Sequence, residues 1–174
     1  MENSGDLSYT DFIKELLGRF SEVLTKLFKD LCKDLNLDHE VAVEISDAKF
    51  IEPDSDPVVC GYYDPSKRLI VASLPCAVEM RGRDFSGELL GTLAHELVHH
   101  CQFTCRSQLC KNICSVWLTA EEAQEIRKML PYDKRPHEVE ARCKEKELGE
   151  VIWNKIEEGQ EAKELLASLI LFLS

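Results

Sequence analysis

The pentapeptide His95-Glu96-Leu97-Val98-His99 restricts what this chain can fold into more than any other segment. Residues four apart lie on one face of an α-helix, one turn above the other. Leu89, Leu90, Leu93, Ala94, Leu97 and Val98 form an apolar stripe through the same stretch. The spacing predicts a helix over residues 87–101, capped by Asp84 or Ser86. One side should pack on a core and the other should carry two imidazoles. Neutral imidazole binds zinc at about 2.0–2.1 Å. Glu96 lies beside that face, where its carboxylate can take a proton from a zinc-activated water without ligating the metal.

Two histidines do not complete such a site, because catalytic zinc usually has three protein ligands and one open position. Three further histidines are present: His39, His100 and His137. His100 is turned by about 100° from His99 on a helix of 3.6 residues per turn. His39 sits in a turn before a strand. The segment Arg135-Pro136-His137-Glu138-Val139-Glu140-Ala141-Arg142 is a better source, since it opens another helix and brings two carboxylates. Pro136 suits the first turn of that helix.

The rest of the chain supplies a frame. Residues 9–35 carry Phe12, Leu16, Phe20, Val23, Leu24, Leu27 and Leu31 at helical spacing, with Asn36 as the stop. Residues 40–51 alternate as a strand, and Pro53, Asp54, Asp56 and Pro57 form a loop. Residues 58–73 read as a hairpin turning at Asp64-Pro65-Ser66-Lys67 and ended by Pro75. Thr119-Ala120-Glu121-Glu122 is a capping box that starts a helix reaching about Leu130. A helix over 136–158 breaks at Gly159, and an apolar helical tail covers 160–174. One α+β domain over residues 1–174 is expected, with a small mixed or antiparallel sheet backed by the N-terminal helix.

Charge and composition narrow the function. With 21 basic and 32 acidic side chains the net charge is −11, which opposes general nucleic-acid binding. No apolar run approaches the roughly 20 residues that span a bilayer. The N-terminus MENSGDLSYTDF lacks the regions of a signal peptide, so a cytoplasmic location is expected. Eight cysteines are unusual there, except in hyperthermophiles, whose cytosolic proteins can be disulfide-rich. Most cysteines are therefore expected to be paired, and the source thermophilic. Cys101, Cys105, Cys110 and Cys114 follow C-x3-C-x4-C-x3-C, within a cysteine-rich insertion at 101–117. The spacing allows a helix-turn-helix stapled by Cys101–Cys114 and Cys105–Cys110. A second zinc or an iron–sulfur cluster is the alternative. Cys32, Cys60, Cys76 and Cys143 are scattered and read as small buried hydrophobes.

HELVHH followed by RPHEVEAR resembles the gluzincin group of zinc metallopeptidases. The short chain and the Gly61-Tyr62-Tyr63 hairpin resemble the archaeal minigluzincins in particular. The resemblance implies a zincin-like fold and peptide-bond hydrolysis with one Zn²⁺ and a peptide or protein substrate. It implies His95, His99 and Glu140 as ligands, the last because the ligand Glu commonly precedes a small residue, here Ala141. Glu138 is the second choice. Glu96 would be the general base and acid. Larger relatives often carry an Asp four residues after the ligand Glu, a position held here by Lys144. The resemblance also implies an edge strand above the cleft that pairs with substrate, for which 68–73 is the candidate. Tyr62, Tyr63, Tyr132, Arg135 and His137 are open as stabilisers of the oxyanion. The tail ELLASLILFLS is either a docked helix or a partner-binding or latency segment, the last implied by the resemblance. A non-catalytic zinc-binding module is the alternative function, but it has no use for Glu96. A peptidase of DNA-bound proteins, which also uses HExxH, would need a basic surface.

Overall fold

The computed structural model describes residues 9–50, 60–105 and 108–173. The N-terminal stretch before Tyr9 and the Pro53–Pro57 loop lie outside them, as do the first two residues of the expected hairpin. The architecture is α+β, mostly helical, with one three-stranded mixed sheet.

Helix α1 (Tyr9–Asp34) presents Leu16, Leu17, Phe20, Leu24, Phe28 and Leu31 to the core. The chain turns away from it at Asn36, which takes the left-handed φ of 57° that a short polar side chain tolerates. Strands β1 (Ala42–Ser46), β2 (Gly61–Asp64) and β3 (Leu69–Ser73) pair in the order β1-β3-β2. The β1–β3 pair is parallel and the β2–β3 pair antiparallel. Helix α1 covers the outer edge of β1 with two hydroxyls one turn apart. Ser21 Oγ accepts the Ile45 N–H at 2.9 Å, and Thr25 Oγ1 accepts the Val43 N–H at 2.9 Å.

The expectation that residues 68–73 form an edge strand is therefore corrected. β3 is the central strand, bonded on both sides, and Ile70, Val71, Ala72 and Ser73 are all buried. The strand that borders the cleft is β2.

Pro75 does more than end the hairpin. Ser73 Oγ accepts the Cys76 N–H at 3.2 Å, and Pro75 occupies the first turn of a helix α2 (Leu74–Arg81) that the sequence reading did not foresee. Helix α3 (Phe85–Thr104) follows a 3₁₀ turn, without a side-chain cap from Asp84. Helix α4 (Ala120–Met129) carries the expected capping box, both bonds formed between Thr119 and Glu122. Helix α5 (Pro136–Glu158) is separated by Gly159 from helix α6 (Gln160–Leu173).

The tail is a docked helix. Ala162, Leu165, Leu166 and Leu169 are buried, Phe172 meets Phe12 of α1 at 5.7 Å, and no residue of α6 lines either of the cavities described below. No helix of the described residues is long and apolar enough to cross a membrane.

Candidate metal centre

Helix α3 packs along α5, and the two bring the polar face of one against the first turn of the other. His95 and His99 stand on that face of α3, as their spacing predicts, and both are largely buried. Opposite them is Glu138. Its Oε2 lies 3.0 Å from His95 Nε2 and 3.3 Å from His99 Nε2.

Glu140 is not at this centre, contrary to the expected ligand set. Two residues on from Glu138, it faces another way around α5. Its Oε1 accepts from Ser115 N and Oγ, both at 2.6 Å, and its Oε2 accepts from Val116 N and Gln102 Nε2. Burial works to raise its pKa, but the bonds from Ser115 and Gln102 prevail and hold the carboxyl below the usual range. The small residue that suggested Glu140 has a packing role, since Ala141 is fully buried within α5.

The outer nitrogens of both histidines are held. His95 Nδ1 meets Glu145 Oε1 at 2.7 Å, and His99 Nδ1 meets Gln102 Oε1 at 2.8 Å. The Gln102 amide is oriented by its own donors, which go to the His137 carbonyl at 3.1 Å and to Glu140 Oε2 at 2.9 Å. Its Oε1 must therefore accept, so His99 Nδ1 carries the proton. Glu145 imposes the same tautomer on His95. Each neutral ring then aims a lone pair from Nε2 at Glu138 Oε2, itself an acceptor. Three acceptors that converge in a buried site require a proton or a cation between them. With protons alone, burial opposes the charge on His95, but Glu138 and Glu145 prevail and raise its pKa to about 10. Burial works against the charge on Glu138 too, but the bonds from His95 and His99 prevail and pull it well below the usual carboxylate range. The donor set of two imidazole nitrogens and one carboxylate oxygen fits Zn²⁺.

Glu96 occupies the expected place beside the histidines. Ligand atoms of His95, Glu96 and His99 all lie within 4.8 Å of one another. Glu96 Oε2 is buried and has no hydrogen-bond partner. Burial pushes its pKa up. Gly61 makes this approach of β2 to α3 possible. A Cβ there would stand 2.4 Å from Thr92 Cγ2, 2.7 Å from Val71 O and 3.4 Å from Glu96 Cγ.

The five candidates for the oxyanion separate. Tyr63 is occupied, its hydroxyl 3.0 Å from His100 Nδ1, while His100 Nε2 donates to the Asp38 carbonyl at 2.6 Å. His100 is thus structural, and burial keeps it neutral. Tyr62 is 44% exposed and stacks edge-on against Phe50. The Arg135 guanidinium is turned to the Leu130 carbonyl. His137 backs Glu138, with Nε2 at 3.5 Å from Glu138 Oε1, and burial lowers its pKa to about 4. Tyr132 lies beside Glu138, and burial together with that carboxylate raises its pKa. Arg135 and Arg142 both lie 5.6 Å from its ring centre.

Two cavities meet over the centre. One of about 900 Å³ runs from His95 along the glycines Gly87 and Gly91 to Trp153, and one of about 350 Å³ extends from His99 past Tyr62. Gly61 and Tyr132 line both.

Glu145 and Gln102 were missed from the sequence. Their signal was positional, seven residues after Glu138 and three after His99, but it can be used only once the ligand on α5 is known.

Three of the cysteine contacts close as disulfides. Cys101–Cys114 and Cys105–Cys110 are the expected pairs, and Cys60–Cys76 joins two residues that the sequence reading left separate. Cys32 is buried and Cys143 exposed, and both are free.

Comparison of the chain with protein-family models, with curated proteins and with solved structures gives no match.

Proposed function

We propose that this chain is a zincin-like, zinc-dependent peptidase of the gluzincin type, with His95, His99 and Glu138 as ligands and Glu96 as the proton carrier. One observation supports it above the others. Two imidazole lone pairs and a carboxylate oxygen converge beside a buried carboxylate oxygen that has no partner.

When bound, zinc supplies a Lewis acid and brings the pKa of water toward neutrality. The residues of the chain do the rest. Glu96 takes the proton from the attacking water and returns it to the departing amine nitrogen, a role suited by its raised pKa. Glu145 and Gln102 fix the tautomers of the two histidines. The Tyr132 phenol, at the junction of both cavities, donates to the substrate carbonyl oxygen as charge develops there. The edge of β2, which has no strand beyond it among the described residues, pairs with an extended peptide laid through the two cavities.

Metal analysis and casein digestion test this reading. The air-oxidised protein should hold one zinc per chain at this centre and hydrolyse casein. Glu96→Gln should keep the zinc and lose nearly all hydrolysis. Unchanged hydrolysis in that variant refutes the mechanism, and stoichiometric zinc in His95→Ala places the metal elsewhere.

A further inference from the structure

The cysteine cluster is not used by the proposed chemistry. Cys101 and Cys105 lie one turn apart at the end of α3, with the Cys105 N–H bonded to the Cys101 carbonyl at 2.9 Å. Cys110 and Cys114 repeat that arrangement, with the Cys114 N–H on the Cys110 carbonyl at 3.0 Å. Each C-x3-C pair thus offers two sulfurs to one side of a helical turn. The two turns face each other. The sulfurs of Cys101, Cys105 and Cys110 lie within 4.8 Å of one another, and that of Cys114 is bonded to Cys101. All four residues are buried in the main core, beside Ile113.

We propose that these four cysteines form a second metal site, which holds zinc when they are reduced and closes as two disulfides when they are oxidised. The geometry is permissive in both states. A tetrahedral four-thiolate zinc with Zn–S bonds of about 2.3 Å sets its sulfurs roughly 3.8 Å apart. For Cys101, Cys105 and Cys110 that spacing is within the separation they already have, and Cys114 enters the same cluster when its bond to Cys101 opens. The chemistry balances. Each disulfide takes two electrons and two protons from a dithiol reductant, which closes to its own disulfide. Zinc then displaces the four thiol protons to water. In reverse, two molecules of a small disulfide oxidise the four thiolates to two cystines. They leave as four small thiols after taking up four protons, and the ion is released.

The site is wired to the histidine centre. Ser115 and Val116, next to Cys114, donate their N–H groups to Glu140, and Gln102, next to Cys101, bridges Glu140 to His99. The Leu118 N–H returns to the Gln102 carbonyl at 3.1 Å. Either cross-link, cystine or zinc, holds this segment against α3. Loss of both frees the partners of Gln102.

This inference does not rest on the peptidase reading, and its test is separate from activity. The full chain is reduced with a phosphine under anaerobic conditions, stripped with a chelator, and titrated with Zn²⁺ or Co²⁺ alone. Reduced protein should bind one more zinc than air-oxidised protein. Its cobalt form should show an intense thiolate-to-cobalt charge-transfer band, which a site of two histidines and a glutamate cannot give. Cys110→Ser combined with Cys114→Ser should lose the extra ion and the band, while Cys143→Ser should keep both. Equal zinc content in the oxidised and reduced wild-type protein overturns the proposal. So does absence of the charge-transfer band in the reduced wild type, a result that needs no variant to fold. Persistence of the full band in the double variant would also overturn it.

Discussion

Gln102→Met is the sharpest probe of how the centre is built. Gln102 is fully buried, yet its side chain makes three hydrogen bonds, to His99 Nδ1, the His137 carbonyl and Glu140 Oε2. Methionine has nearly the same length and shape, so the change removes polarity without opening a large cavity. Glu140 keeps three donors from Ser115 and Val116 and should tolerate the loss. The Nδ1–H of His99 has no such reserve, and a buried donor left without an acceptor costs about 1–3 kcal/mol. That should lower the urea-unfolding free energy of the metal-free protein by a similar amount. The ring also loses the contact that sets its tautomer, and loss of such an outer partner typically weakens metal binding about 10–100-fold. In free energy that is roughly 1.4–2.7 kcal/mol. Competition against a chromophoric zinc chelator reads the affinity directly. Zinc affinity within threefold of wild type, in a variant with native circular dichroism, would refute the claim that Gln102 orients His99.

The choice between the carboxylates of α5 is tested by a pair: Glu138→Ala should abolish stoichiometric zinc, whereas Glu140→Ala should retain it and lose some thermal stability instead. Two glycines should behave oppositely. Gly61→Ala pushes a methyl into Thr92 and the Val71 carbonyl and should cost about 1–3 kcal/mol by overpacking, whereas Gly91→Ala meets no atom within 4 Å and should gain up to about 1 kcal/mol from helix propensity, both read from urea midpoints. His100 has a folded pKa below the ordinary value near 6.5, so the unfolded chain binds its proton first and the contribution of His100 to stability falls as the pH drops below about 6.5. His100→Asn should flatten the difference in unfolding free energy between pH 7.5 and 5.5, and an unchanged slope would remove His100 as its source.

Local periodicity made much of this architecture legible. The apolar spacing of α1, the capping box at Thr119, and Pro136 and Gly159 around α5 mark boundaries within one or two residues of those observed. What remained hidden was relational. Strand β3 is apolar from Leu69 to Ala72 without alternation, a pattern that belongs to a strand buried on both faces, and that continuity signals a central strand. The start of α2 was masked because Pro75 both stops a strand and opens a helix, and only the Ser73 bond to Cys76 decides. His95, Glu96 and His99 were found because one helix fixes their relation. Glu138 against Glu140 depends on how α5 is rotated against α3, which no single-helix pattern contains.

His95 and Glu138 meet across 43 residues of chain, on two helices that pack along each other. An ion seated between them is a ligand of the folded state alone, because the extended chain does not hold these groups together. Folding and metal uptake then share one equilibrium, and the folded population follows the free zinc concentration. A hundredfold excess of free zinc over the dissociation constant would add about 2.7 kcal/mol by mass action. A melting temperature taken in a chelating buffer and one taken in a zinc buffer therefore describe different chemical systems. The spacing between them, followed across a series of metal buffers, reads out the affinity of the centre without any substrate.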